Sequence, residues 1–269
     1  MPARRSSDER DLDVFHVHHP AIDGFAVRAD TYVKGRPNYP AAIEGWLQSD
    51  LGLGSGKTVL DLGAGTGKFA PTLLATGATV LAIEPVPAML DQLVQQYPHL
   101  DARQGSAEHI PLEDACVDAV VCAQSFHWFS TLQAISEIHR VLRRGGSLGL
   151  IWNVRDEHVN WVAALTKIMA PHEGDAPRYH TQQWRSVFPA PGFSQLRERH
   201  FSNEHSGSPE HVVVDRVMSV SFIASLPRDE QERVEAQVRQ LIATAPELRG
   251  KDMVTFPYDT AVFSCTKIS

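Results

Sequence analysis

The stretch Val59–Phe69, VLDLGAGTGKF, decides the fold: an apolar run ends in an acidic residue and a Gly-x-Gly-x-Gly turn, and helix-like sequence follows. Gly63 and Gly65 can take positive φ, and with no Cβ they let a ligand press against the main chain. The backbone N–H groups of the turn and of the helix after it then point at that ligand. The next apolar run, Thr79 to Ile83, stops at Glu84, where a carboxylate at the tip of a second parallel strand can accept both hydroxyls of a ribose. Together the two strand ends describe a nucleoside pocket.

Two other nucleotide motifs lie close by and fail. Leu51 to Thr58, LGLGSGKT, imitates a phosphate-binding loop, but Leu51 stands where the first glycine is required, and the run precedes the strand at Val59 instead of following one. Glycines at 63, 65 and 67 spoil the Gly-x-Gly-x-x-Gly spacing of a dinucleotide fingerprint. A nicotinamide or flavin enzyme is therefore the runner-up on cofactor.

With 269 residues, 43% of them hydrophobic, the chain can build one substantial α/β core with an appended lid and needs no disulfide staples. A formal charge of −7 argues against a broad basic surface for nucleic acid or anionic membrane and points to a small-molecule partner, with the protein a monomer or homodimer. Cys116, Cys122 and Cys265 make no CxxC pair and read as buried reduced thiols, which suits the cytoplasm. Arg4 and Arg5 are followed by acidic residues, not by an apolar stretch, so no targeting signal or membrane span is expected. His16, His18 and His19 lack matching carboxylate or cysteine spacing and read as a solvated tract; no metal is expected.

After a polar start, Pro40 opens an amphipathic helix through about Asp50 with Ile43, Trp46 and Leu47 on one face. Strands are predicted at Thr58–Leu62, Thr79–Ile83, Asp101–Gln104, Val117–Ala123 and Ser147–Trp152. Helices are predicted at Lys68–Ala75, Pro87–Tyr97 and Leu132–Leu142, the last ending at a Gly145-Gly146 stop. That alternation implies a doubly wound, mostly parallel sheet with ligands at the strands' carboxyl ends. Farther on, Ser194–Ser206 and Val262–Ile268 read as strands and Pro209–Ser225 and Pro227–Ala243 as helices, an arrangement that lets the last strands pair antiparallel at the sheet edge. The expected organisation is a single domain over 1–269, with an N-terminal arm or lid (1–40), a cofactor-binding core (41–153), and lid helices with C-terminal strands (154–269).

These segments resemble the class I S-adenosylmethionine-dependent methyltransferases, particularly the small-molecule branch related to the ubiquinone/menaquinone and trans-aconitate methyltransferases. DLGAGTGKF matches the family's first motif and IEP at Ile83–Pro85 its second; GSAEHIPL at Gly105–Leu112 resembles the adenine loop, and DAVVCAQSFHWF at Asp118–Phe129 the fourth-strand motif facing the methyl group. The resemblance implies a Rossmann-like fold and S-adenosylmethionine as cofactor, with S-adenosylhomocysteine as product. It gives Gly63, Ala64 and Gly65 the methionine part, Asp61 the shaping of the turn, and Glu84 with Pro85 the ribose. Met89 then covers one adenine face, Ser106 and Ala107 meet its edge, and Gln124 lines the methionine end. Many relatives carry Asp where Ser106 stands, which removes a charge-assisted contact here. Tyr32 and Arg36 either close over the cofactor carboxylate or staple the surface.

Methyl transfer from a sulfonium is an in-line displacement, so the protein's work is to align donor and acceptor and exclude water. The expected activity is methylation of a small organic acceptor, at oxygen in preference to nitrogen or carbon. For a hydroxyl acceptor His127 is the candidate general base; the alternative is a histidine that packs or caps the next helix. Phe126, Trp128, Phe129, Trp152 and Asn153 are candidates for the acceptor pocket, although an aromatic run at a strand end also suits a core. His158 and Trp161, on an expected lid helix, are further pocket candidates. A non-methylating protein of the same fold, pericyclase-like or regulatory, is the alternative function, and a nicotinamide-dependent oxidoreductase a more distant one.

Overall fold

The computed structural model describes residues 36–175 and 177–268. Its centre is a seven-stranded sheet. β1 (Thr58–Leu62), β2 (Thr79–Glu84), β3 (Asp101–Gln104), β4 (Val117–Ala123) and β5 (Leu142–Arg155) are joined by parallel pairings, whereas β6 (Arg197–Gly207) and β7 (Val254–Thr266) are antiparallel additions. The order β3-β2-β1-β4-β5-β7-β6 reverses direction between β1 and β4, which places a crevice at their carboxyl ends.

Helices cover both faces. α1 (Ala42–Leu51) and α2 (Ala70–Ala75) bury Ile43, Trp46, Leu47 and Leu73 against Val59, Val121 and Ile151. On the other face α4 (Leu132–Val141) presents Ala134, Ile135, Ile138 and Val141 to Leu60, Leu62 and Val120; α3 (Pro87–Gln96) packs beside β2 and β3. The apolar residues of α4 recur at helical spacing, and Thr131 caps its start by accepting the Ala134 N–H at 3.1 Å. A further apolar cluster joins α5 (Asn160–Met169) and α6 (Arg228–Thr244) to Phe256 and Tyr258 of β7. No helix among the described residues is long and apolar enough to cross a membrane.

Three elements differ from the sequence-based expectation. Gly145 and Gly146 do not stop α4, which ends at Val141; they lie inside β5, where the register with β4 shifts between Val117 and Ala119. Glycine is needed there because Gly145 has φ +77° and a Cβ on Gly146 would lie 2.8 Å from the Asp118 carbonyl. The closing strand begins at Val254, eight residues before Val262. Pro257 interrupts its pattern but falls just beyond Tyr258, the last partner of β5, where a missing N–H leaves that ladder intact. Pro209–Ser225 is not one helix but a wide π-turn, Glu210–Asp215, followed by the short helices Arg216–Met218 and Ser221–Ala224. Val212, Val213 and Val214 are all buried, and three successive β-branched side chains reach the interior from a widened turn more easily than from a regular helix.

Gly149, midway along β5, faces α1: a Cβ there would lie 2.6 Å from Leu51 Cδ1 and 3.0 Å from the Trp46 ring. Gly149→Ala should therefore destabilise the fold by about 1–3 kcal/mol through overpacking. Urea unfolding reads this directly, and an unchanged midpoint would mean that α1 moves outward freely.

Candidate active site

The glycine turn is held by the end of β2. The Ile83 carbonyl accepts the N–H of Gly63 at 2.8 Å and of Ala64 at 3.1 Å, and Glu84 Oε2 accepts the Gly65 N–H at 2.8 Å. Glu84 Oε1 accepts from Val86 at 3.0 Å, so one carboxylate ties the two strand tips together and keeps lone pairs for a ligand. Gly63 and Gly65 have φ of +71° and +58°. A Cβ on Gly63 would strike Ser125 at 2.7 Å, whereas one on Gly65 would meet nothing within 4 Å. The space over Gly65 is open to a ligand.

Burial raises the Glu84 carboxyl to about 6 against the two backbone donors that lower it. Asp61 is more extreme: it is 1% exposed, neither carboxylate oxygen has a hydrogen-bond partner among the described residues, and burial followed by the Glu84 charge raises it to about 7. A buried carboxylate without donors fits a site that receives a cationic group.

Two clefts meet at the carboxyl ends of the strands. The first runs from Asp61 and the glycine turn past Glu84, Pro85 and Met89 to Ser106 and Ala107. The second, of about the same volume, is bordered by His127, Trp152, Arg155, Arg178 and Tyr179. Arg36, Gln124, Trp128, Asn153 and Arg216 line both and mark the seam. Gln124 stands at the end of β4 with φ +63°, a left-handed conformation that costs a non-glycine residue energy and that clusters at functional sites. Its N–H donates to Ile151 at 2.8 Å, which fixes it there.

The walls are braced from behind. Arg140 on α4 holds the loop after β3, donating to the carbonyls of Ile110 at 2.9 Å and Leu112 at 2.8 Å and to Asp114 at 2.8 Å, with Glu137 as a further carboxylate partner. Asn153 fastens the chain near Arg36: its Nδ2 donates to the Asn38 carbonyl at 3.3 Å, and its Oδ1 accepts from Thr260 at 2.6 Å and Asn203 at 3.1 Å. Asn203 also donates to Asn38 at 2.8 Å, and Lys68 Nζ to the Arg36 carbonyl at 3.0 Å.

His127 accepts a hydrogen bond at Nδ1 from Trp152 Nε1, 3.1 Å away. That occupies the lone pair and puts the proton of a neutral ring on Nε2. Burial, with Arg178 and Arg36 nearby, lowers the imidazole to about 3, so the ring is neutral across the physiological range.

The structure thus brings Arg36, Asp61, Gly63, Ala64, Gly65, Glu84, Pro85, Met89, Ser106, Ala107 and Gln124 onto one cleft, and His127, Trp128, Trp152 and Asn153 onto its neighbour. Tyr32 lies outside the described residues, as do His16, His18 and His19. Phe126 is fully buried among Phe129, Trp184 and Phe188 and lines neither cleft, whereas Phe129, a candidate from the same run, borders the first cleft and not the second. Trp161 packs on Phe256 with ring centres 4.8 Å apart, and the exposed His158 pairs with Asp156 at 2.9 Å, so neither reaches the clefts. Among the described residues no cluster of three or more metal-binding side chains occurs. Arg155, Arg178 and Arg216 are absent from the sequence-based set. Arg155 had a signal, lying two residues after Asn153 on the same face of β5; Arg178, in an irregular segment, had none.

Residues 60–150 match the family described as a methyltransferase domain. An uncharacterized methyltransferase-like protein of Schizosaccharomyces pombe is 39% identical over 239 residues, 88% of this chain and 92% of that one. An uncharacterized methyltransferase of Mycobacterium tuberculosis is 38% identical over 242 residues, 90% and 95% of the two chains. A shorter match, 33% identical over 164 residues and covering 52% of this chain and 64% of the other, is to a malonyl-[acyl-carrier protein] O-methyltransferase of Serratia marcescens. In solved structures the fold recurs in a candidate type II methyltransferase from Anaeromyxobacter dehalogenans, with TM-score 0.67 and 20% identity over 87% of this chain and 98% of that one. With its glycine turn, Glu84 and the loop at Ser106 to Glu108 assembled on one cleft and relatives named as methyltransferases spanning nearly its whole length, the chain belongs to the class I methyltransferases, which use S-adenosylmethionine as cofactor.

Proposed function

We propose that the protein transfers the methyl group of S-adenosylmethionine to an oxygen atom of a small organic acceptor bound in the second cleft. The observation that carries this reading is the seam: Gln124, Trp128 and Asn153 border both clefts, so a donor in one and an acceptor in the other meet there. The cofactor supplies an electrophilic methyl group on a sulfonium and leaves as a neutral thioether. Glu84 takes the ribose hydroxyls, Met89 and Ala107 flank the adenine, and the Gly63–Gly65 backbone lies along the methionine part. Asp61, buried and without hydrogen-bond donors among the described residues, fits the cationic charge that the cofactor brings.

In this reading the acceptor oxygen is already ionised, so the methyl group passes from sulfur to oxygen with no proton to remove, and His127 serves as a neutral donor through Nε2–H toward the acceptor, not as the candidate general base. Its Nδ1 is engaged by Trp152, and an imidazole lowered to about 3 has little affinity for a proton at neutral pH. Acceptance at oxygen is supported by the name of the Serratia marcescens relative. The main catalytic contribution is then alignment, for which orientation of two bound reactants supplies about 7–11 kcal/mol.

Titration calorimetry should give micromolar binding of S-adenosylmethionine or S-adenosylhomocysteine, about −8 kcal/mol, with NAD far weaker. Glu84→Ala should cost about 2–4 kcal/mol of that affinity. Tighter NAD binding would sink the cofactor assignment, and an unaffected Glu84→Ala would move the ribose elsewhere.

Asp61 also predicts a pH dependence of the ligand-free protein. Its carboxyl is raised from 3.8 to about 7 on folding, so the native state keeps a proton that the unfolded chain releases, and stability falls as pH rises through that window. Urea midpoints should drop between about pH 4 and pH 7, and Asp61→Asn should flatten the drop. Parallel profiles for the two proteins would refute the shift.

Once an acceptor is in hand, His127→Ala should slow turnover by about tenfold or less, the worth of one neutral hydrogen bond, without altering the shape of the pH–rate profile. A loss of about 100- to 10,000-fold together with a vanished acidic limb would restore the general base.

A further inference from the structure

The second cleft is lined by four arginines, Arg36, Arg155, Arg178 and Arg216, and by two carboxylates, Glu157 and Glu173. Arg36 and Arg216 stand at the seam; Arg155 and Arg178 border the second cleft alone. Among the lining residues these two carboxylates face the three cations Arg155, Arg178 and Arg216. Glu157 is exposed and accepts the Thr166 hydroxyl at 2.9 Å. Glu173 lies 3.2 Å from Arg178 Nε and 3.4 Å from His180 Nε2.

The guanidinium groups of Arg155, Arg178 and Arg216 are short of acceptors among the described residues. The side chain of Arg178 is 13% exposed; Nη1 donates to the Pro177 carbonyl at 3.2 Å, and Nη2 is buried with no hydrogen-bond partner among the described residues. Arg155 has one hydrogen bond there, from Nη1 to the Met169 sulfur at 3.4 Å, a weak acceptor for a guanidinium. Nε and Nη1 of Arg216 are likewise buried without a hydrogen-bond partner among the described residues. Burial first, and then the neighbouring Arg216 charge, disfavour the protonated form of Arg155 by more than Tyr258, Glu157 and Glu173 favour it, yet arginine stays charged in proteins. Cations buried without enough acceptors are costly to maintain, and an oxyanion entering the cleft relieves that cost.

The fork is also positioned in advance. Arg178 lies over the rings of Trp128 at 5.3 Å and Phe222 at 4.8 Å, contacts that hold a planar cation in place. Trp128 lies on the seam, so a group held by Arg178 is within reach of the methyl donor's cleft. Bidentate guanidinium–oxyanion pairs are the strong, orientation-specific member of the ion-pair class.

From this arrangement we propose that the acceptor carries an oxyanion, carboxylate or phosphate, gripped by Arg155 and Arg178 while its reacting oxygen faces the seam. The proposal rests on the methyl-transfer reading given above and names the chemical class of its acceptor.

Protein saturated with S-adenosylhomocysteine is titrated calorimetrically with phenylacetate, succinate and phenyl phosphate, and with the neutral phenylacetamide as reference. At least one anion should bind about tenfold or more tightly than phenylacetamide. Arg178→Met and Arg155→Met should each weaken the anion by about tenfold or more and leave S-adenosylhomocysteine affinity within about twofold, and Arg155→Lys should keep part of the loss from appearing. The preference between the carboxylates and phenyl phosphate identifies the headgroup. Equal binding of phenylacetamide, unchanged anion affinity in folded variants, or no anion binding overturns the proposal. The wild-type comparison needs no variant to fold. Failure of the wild type to bind S-adenosylhomocysteine would overturn the cofactor reading separately, and the anion titrations then run on the free protein and still decide this one.

Discussion

One carboxylate and one carbonyl at the end of β2 set the geometry of the donor cleft. The glycine turn has three successive N–H groups, from Gly63, Ala64 and Gly65, and all three are taken up by Ile83 and Glu84 instead of pointing at a ligand as the residue order suggests. A turn with left-handed residues is otherwise free to adopt several shapes; here the neighbouring strand chooses one. The same anchoring leaves the open side of Gly65 and the remaining lone pairs of Glu84 facing a common space. The ligand therefore meets a surface whose internal hydrogen bonds are already made.

This arrangement explains which parts of the protein could be read from residue order. β1, β2 and β4 are short apolar runs, and Glu84 was legible from its position at the tip of β2. Asp61, Gln124 and the loop after β3 were read from the family motifs, and the structure brings them to the same cleft. Legibility failed where local pattern and tertiary context diverge. The Gly145-Gly146 pair has the composition of a helix stop but serves close packing within β5. Phe126 belongs to the same aromatic run as Trp128, yet a short 3₁₀ turn sends it inward and Trp128 to the seam.

The acceptor side was read least completely, for a different reason. Its arginines come from the tip of β5, an irregular segment before β6, and the short helix after a widened turn. None shares a periodic pattern with the others, and only the folded chain brings them to one cleft. His127 shows the same limit at the scale of one atom. Residue order places a histidine just past β4, but whether its lone pair is available depends on Trp152, 25 residues away in the chain.

The clasp over residues 36–39 has a consequence for biosynthesis. Asn38 is held by Asn153 and Asn203, and Asn153 is itself oriented by Thr260. A growing chain displays the glycine turn and Glu84 well before it reaches Thr260, the last member of the clasp in chain order. The clasp beside the cleft is thus completed only once Thr260 has emerged, and a nascent chain with a finished glycine turn still has an unfinished wall around it.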